Sequence, residues 1–142
     1  MALKLYASTS TDDYLDTSLS RQALFGNNRR MGEPTIKKLW VRNDSTSMWY
    51  SNVKIWATSD GVDITSGTNG FGVKFYIGEL EPTERLWGAL PYNEPGRMPT
   101  IGTSGTASTA FYPLWVRWDM APGADVGAYE ASLIIGAIEN NV

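Results

Sequence analysis

The sequence predicts an all-β protein, an antiparallel β-sandwich. Three observations point there. Apolar residues recur at every second position in several stretches, the period of a strand with one buried face. Clusters of Gly, Asn, Asp and Ser separate those stretches as turns. No helix-length spacer stands between them, so parallel βαβ units have no place. An immunoglobulin-like arrangement fits the length and the seven or eight expected strands. A jelly roll is the alternative, and alternation does not separate the two. The 142 residues suit one domain, and a chain of this length buries roughly two thirds of its unfolded surface. The expected division is a strand plus extended N-terminal arm or long loop over residues 1–34, then the sandwich over 35–142.

The elements follow in order. Residues 2–7 alternate, with Leu3 and Leu5 on one face and Lys4 and Tyr6 on the other. Residues 8–34 are rich in Ser, Thr, Asp and Asn. They read as the arm, with a short strand near 23–25. A competing reading makes DDYLDTSLSRQALFG a helix, with Leu15, Leu19 and Ala23 on one face and Gly26 as its stop. Loops this long are often functional.

From residue 35 the alternation is regular. Leu39 and Val41 point inward from a strand over 37–42, and NDSTS turns the chain. Val53, Ile55 and Ala57 point inward from 52–58, and SDG turns again. A short strand is expected at 62–65, then the SGTNG turn, then a strand with Phe71, Val73, Phe75 and Ile77 on one face. The stretch from 78 to 106 is irregular and holds Pro82, Pro91, Pro95 and Pro99, so it reads as loop or edge. Residues 111–119 turn Leu114, Val116 and Trp118 inward. After the APGADVG turn, residues 128–138 place Tyr129, Ala131, Leu133, Ile135 and Ala137 on one face, leaving Ile134 and Ile138 outward.

The net charge is −3, from 12 basic and 15 acidic residues. That is not the basic footprint of a nucleic-acid binder. No apolar run approaches the roughly 20 residues that span a bilayer, and the start shows no signal-peptide core. The expectation is a protein without nucleic-acid or membrane partners. There is no His and no Cys, so Ser-His-Asp and Cys-His catalysis and His or Cys zinc sites are excluded. Asp12, Asp13 and Asp16, and again Glu79, Glu81 and Glu84, form carboxylate clusters. A carboxylate pair held about 5 to 9 Å apart could cleave a glycosidic bond; in such polar stretches both read as solvated faces. Asp60 and Asp63 around Gly61 read as a turn, since calcium needs six to eight oxygens from a shaped loop. GTNGFG and GTSGT lack the Lys and following helix of a phosphate loop. No enzyme, cofactor or metal is expected.

Six Trp and seven Tyr are a heavy aromatic load. Alternation sends Trp40, Trp56 and Trp115 outward with Lys38, Arg42, Lys54 and Arg117. Three uses are open. Cation and ring can form a cross-strand ladder, each pair contributing about 0.2–1 kcal/mol. Trp and Arg can form a protein contact, where both are favoured. Three coplanar tryptophans can bind sugar. The tetrapeptide LWVR occurs at 39–42 and 114–117 with the same plan, Leu and Val in, Trp and Arg out. Its flanks, KK…ND and YP…WD, read as unmatched. The candidate partner-binding residues are Trp40, Arg42, Trp56, Trp115, Arg117, Ile134 and Ile138, with Leu3, Tyr6 and Tyr14 from the arm.

The block PLWVRWDMAPGADVGAYEASLIIGAIEN resembles the closing hairpin of immunoglobulin-like domains in tailed-phage virion proteins. A strand ends in Trp-x-Arg, Pro122-Gly123 turns, and Gly127-x-Tyr129 leads into an alternating strand. KKLWVRND is similar to the opening strands of such domains. The resemblance covers about 35–142. It implies a non-enzymatic virion protein made in the host cytoplasm, decorating or cementing a capsid or placed on a tail or baseplate. Its partners would be the major capsid protein or other virion subunits, with many copies or a homo-oligomer per particle, and its arm would contact a neighbour. A carbohydrate-binding module is the rival of another class.

Overall fold

The computed structural model describes residues 3–6, 14–15, 18–20, 35–59, 61–68, 70–94, 97–104, 111–119 and 130–142. These form nine strands: β1 Leu3–Tyr6, β2 Tyr14–Leu15, β3 Ser18–Ser20, β4 Thr35–Asn43, β5 Met48–Ser59, β6 Val62–Asp63, β7 Gly72–Ile77, β8 Phe111–Asp119 and β9 Glu130–Asn141. One short 3-10 turn spans Glu84–Leu86. The strands make two antiparallel sheets, in the orders β2-β1-β4-β8-β7 and β3-β9-β5-β6. A single apolar core joins them. Leu39, Val41, Leu114 and Val116 face it from the first sheet, and Val53, Ile55, Ala57 and Leu133 from the second. These are the residues that the two-residue period turns inward.

The departures have local causes. β5 starts at Met48, ahead of the regular alternation, because a bulge lies between Ser51 and Lys54, with Asn52 at φ 49°. The extra residue changes the parity, so Tyr50 and Val53 both enter the core. β7 begins at Gly72, and Phe71 stands exposed rather than inward. Gly72 adopts φ 130°, and a Cβ there would lie 2.2 Å from the Ile64 carbonyl oxygen. Only glycine lets the two backbones approach so closely. The strand expected over 62–65 shrinks to the two residues of β6, and β9 runs on to Asn141.

The first 34 residues enter the sheets wherever they are described. β1 is an interior strand between β2 and β4, and Leu3 and Leu5 lie in the core. β3 pairs with β9 in the other sheet. Strands at Tyr14–Leu15 and Ser18–Ser20 replace the competing helix. The remainder of the expected arm, with the short strand at 23–25, lies outside the described residues.

The irregular stretch after β7 closes the side of the sandwich. Tyr50 and Ile101 exchange backbone hydrogen bonds of 2.9 and 3.0 Å, and Ile55 N–H donates to the Tyr92 carbonyl at 2.8 Å. The open edge of β5 is thereby covered, which blunts an otherwise sticky strand. Tyr92, Met98 and Ile101 fill the adjoining core. Buried Asn43 pins the end of the stretch, donating to the Met48 and Gly102 carbonyls at 2.8 and 2.9 Å.

Candidate functional site

The two LWVR copies lie side by side. β4 and β8 pair antiparallel with Leu39 opposite Leu114, so the copies run apart from that shared pair. Both turn Trp and Arg to the outer face of the five-stranded sheet, as alternation requires. The likeness extends further than the flanks suggest. Asp44 and Asp119 stand at the same distance from each copy, giving LWVRND and LWVRWD. In both, the Arg Nε meets the Asp Oδ1, at 3.2 Å for Arg42–Asp44 and 2.7 Å for Arg117–Asp119. In both, the second Asp oxygen accepts from the next strand outward. Asp44 takes the Tyr6 hydroxyl of β1, and Asp119 takes Lys74 Nζ of β7 at 2.6 Å. The repeated element is therefore a six-residue clamp. It locks a central strand to its outer neighbour.

The same face interleaves cations and rings. Lys38 Nζ lies 5.2 Å from the Trp40 ring centre and 5.5 Å from that of Trp115. Arg42 sits 5.8 Å from Tyr6 and 5.9 Å from Phe111. Trp87, buried outside the main core, lies 5.9 Å from the Arg117 guanidinium. Each such contact contributes about 0.5–1 kcal/mol near a surface. Trp40 and Trp115 are half-buried in this ladder, not exposed on a monomer.

The chain after β7 is fastened to that ladder. Trp115 Nε1 donates to the Gly78 carbonyl at 2.9 Å, and Lys38 Nζ to the Glu79 carbonyl at 2.9 Å. Arg117 Nη1 meets Glu84 Oε2 at 2.8 Å. Hydrogen bonding from Arg117, and then its charge, holds the Glu84 carboxyl below its ordinary value. Burial works against the Arg117 charge, but its bonds to Glu84 and Asp119 outweigh it and raise the pKa. Lys74, only 3% exposed, stays in this environment because Asp119 neutralises it.

The four-stranded sheet presents a plainer outer face. Trp56 stands opposite Ile134, Lys54 opposite Gly136, and Ser51 opposite Ile138. Lys54 Nζ lies 5.3 Å from the Trp56 ring centre. Gly136 makes room for both: a Cβ there would meet Lys54 Cε at 3.1 Å and Trp56 Cζ3 at 3.4 Å. Ile134 is half-buried, and Ile138 is 51% exposed.

The predicted contact residues thus divide into three groups. Trp40, Arg42, Trp115 and Arg117 share one outer face, and Trp56, Ile134 and Ile138 share the opposite one. The three tryptophans cannot form a coplanar platform, because they sit on different sheets. Leu3 and Tyr6 are buried in the chain's own fold, Leu3 in the core and Tyr6 against Asp44. They are not accessible to a partner here. The Tyr14 side chain lies outside the described residues. Sequence reasoning missed Lys74, Asp119 and Trp87. The one available signal was the Asp shared by both copies. Among the described residues no group of three Asp or Glu is placed to hold a metal ion. Comparison with protein-family models, curated proteins and solved structures finds no match to this chain.

Proposed function

We propose that this chain is a structural protein of a tailed-phage virion that works by protein–protein contact, first as a capsid decoration or cement protein, second as a tail or baseplate component. The immunoglobulin-like form of the sandwich belongs to the same proposal. The resemblance of residues 35–142 motivates it. The observation that carries it is the outer face of the four-stranded sheet, where Trp56, Ile134 and Ile138 line one surface and Ile138 is half exposed. An apolar strip of this kind marks a contact site when it continues across strands. The mechanism is burial against an assembled neighbour. Many copies that bind only the assembled state stabilise it by mass action.

The test is co-sedimentation of the purified chain with capsid shells that lack it, and separately with tails. Saturable binding to shells supports the decoration role, and binding to tails alone selects the second. Absence of binding to either, with quenching of tryptophan fluorescence by a polysaccharide, would replace the proposal with carbohydrate binding.

A further inference from the structure

The segment from Gly78 to Glu94 concentrates two properties. It carries Glu79, Glu81, Glu84 and Glu94 against Arg85, a formal −3 that equals the net charge of the whole chain. The rest of the protein is therefore balanced. The same segment exposes three leucines, Leu80 at 82%, Leu86 at 39% and Leu90 at 51%. Exposed leucines on a loose loop would be unremarkable, but this loop is tied down along its length. Gly78 and Glu79 are held by Trp115 and Lys38, Glu84 by Arg117, Gly88 N–H by the Phe75 carbonyl at 3.4 Å, and the Tyr92 carbonyl by Ile55. Trp87 is buried between these ties. The side chains left outward have their positions set in advance, which lowers the ordering entropy of binding.

The charges are layered. Lys38 and Arg117 lie underneath, and the Glu79 and Glu84 side chains, 79% and 78% exposed, lie on top. An approaching surface meets carboxylates and leucines before it meets Lys38 or Arg117, with Arg85 exposed beside them. Arg97 beyond the segment tempers only Glu94, at 3.5 Å.

We infer that the 78–94 loop is a second docking element beside the four-stranded sheet's outer face, and that its partner is an apolar groove rimmed by Lys and Arg on a neighbouring virion protein. Trp115 and Arg117 position the loop and do not themselves touch the partner. The inference rests on the proposed virion role and adds a second contact to it.

The experiment uses the full chain and capsid shells lacking it. Leu80→Ser, Leu86→Ser and Leu90→Ser are combined in one variant, and Glu81→Lys is a second. Val142→Ser, at an exposed position just after β9, is the control, and thermal melts verify that each variant folds. The leucine variant is expected to lose at least tenfold in affinity. Glu81→Lys is expected to lose severalfold and to flatten the salt dependence of binding. Wild-type affinity is expected to fall as salt rises, and Val142→Ser to bind as wild type. Wild-type binding that the leucine variant retains, or that Val142→Ser weakens as much as the leucine variant does, overturns the inference and leaves the virion role standing. Absence of wild-type binding to shells and, in a parallel run, to tails overturns both.

Discussion

The outer faces of the two sheets draw on the same residue types and reach different ends. Each sets tryptophan beside lysine, across paired strands in one and within β5 in the other. On the five-stranded sheet, Asp44, Asp119 and Glu84 complete the arginines, and a loop closes over Trp115 and Arg117. On the four-stranded sheet, Lys54 lies over Trp56, no described carboxylate closes the pair, and Ile138 remains half exposed. Aromatic and cationic alternation thus does not by itself identify a contact surface. The carboxylates decide whether the face is used internally.

The sharpest way to break this contrast is to remove the anion that buried Lys74 and half-buried Arg117 share. Asp119→Ala leaves Lys74 and Arg117 without their common partner. A loss of about 3–5 kcal/mol is expected, read by denaturant unfolding. A loss below about 1 kcal/mol would show that the clamp is decorative. Trp115→Ala should follow at about 2 kcal/mol, since it removes a half-buried ring and the tie to Gly78. Trp56→Ala should lose less, about 1 kcal/mol, and equal losses would erase the difference between the faces.

Acid offers a gentler probe. The Glu84 carboxyl titrates below its ordinary value in the folded chain. The stabilisation from its tie to Arg117 is therefore complete above the unfolded carboxylate value, about pH 4.3, and fades as pH falls through the lowered folded value. Amide protection across 84–88, corrected for the intrinsic pH dependence of exchange, should fall reversibly in that range in the wild type. Glu84→Gln should show the lowered protection at neutral pH already. A wild-type profile unchanged down to pH 3 would remove Glu84 from the loop's anchorage. The smallest effect belongs to the plain face: Ile138→Ser should leave stability within about 0.5 kcal/mol, as for an ordinary surface position.

Much of the sandwich was legible because one buried face imposes a period of two. Leu39, Val41, Leu114, Val116, Val53, Ile55, Ala57 and Leu133 all read correctly from that rule. Tyr50 did not, because the bulge shifts its parity. Trp87, Tyr92, Met98 and Ile101 did not, because a stretch without repeating structure buries residues one at a time. The face assignment of Trp56 failed for another reason. Alternation tells in from out within a strand, but it does not tell which sheet the strand joins. That depends on pairing between residues far apart in sequence, as in Trp56 with Ile134 and Lys38 with Trp115. Lys74 looks like any outward lysine until the loop and Asp119 close around it.

The opposed clamps have a consequence for orientation. A half-turn about the Leu39–Leu114 pair exchanges Trp40 with Trp115, Arg42 with Arg117 and Asp44 with Asp119. The strand pair alone would look nearly the same from either end, and a neighbour reading only it could seat the protein in two ways. The asymmetry comes from what each clamp grips: a tyrosine at one end, a lysine and a fastened acidic loop at the other. The loop gives a two-fold surface its polarity.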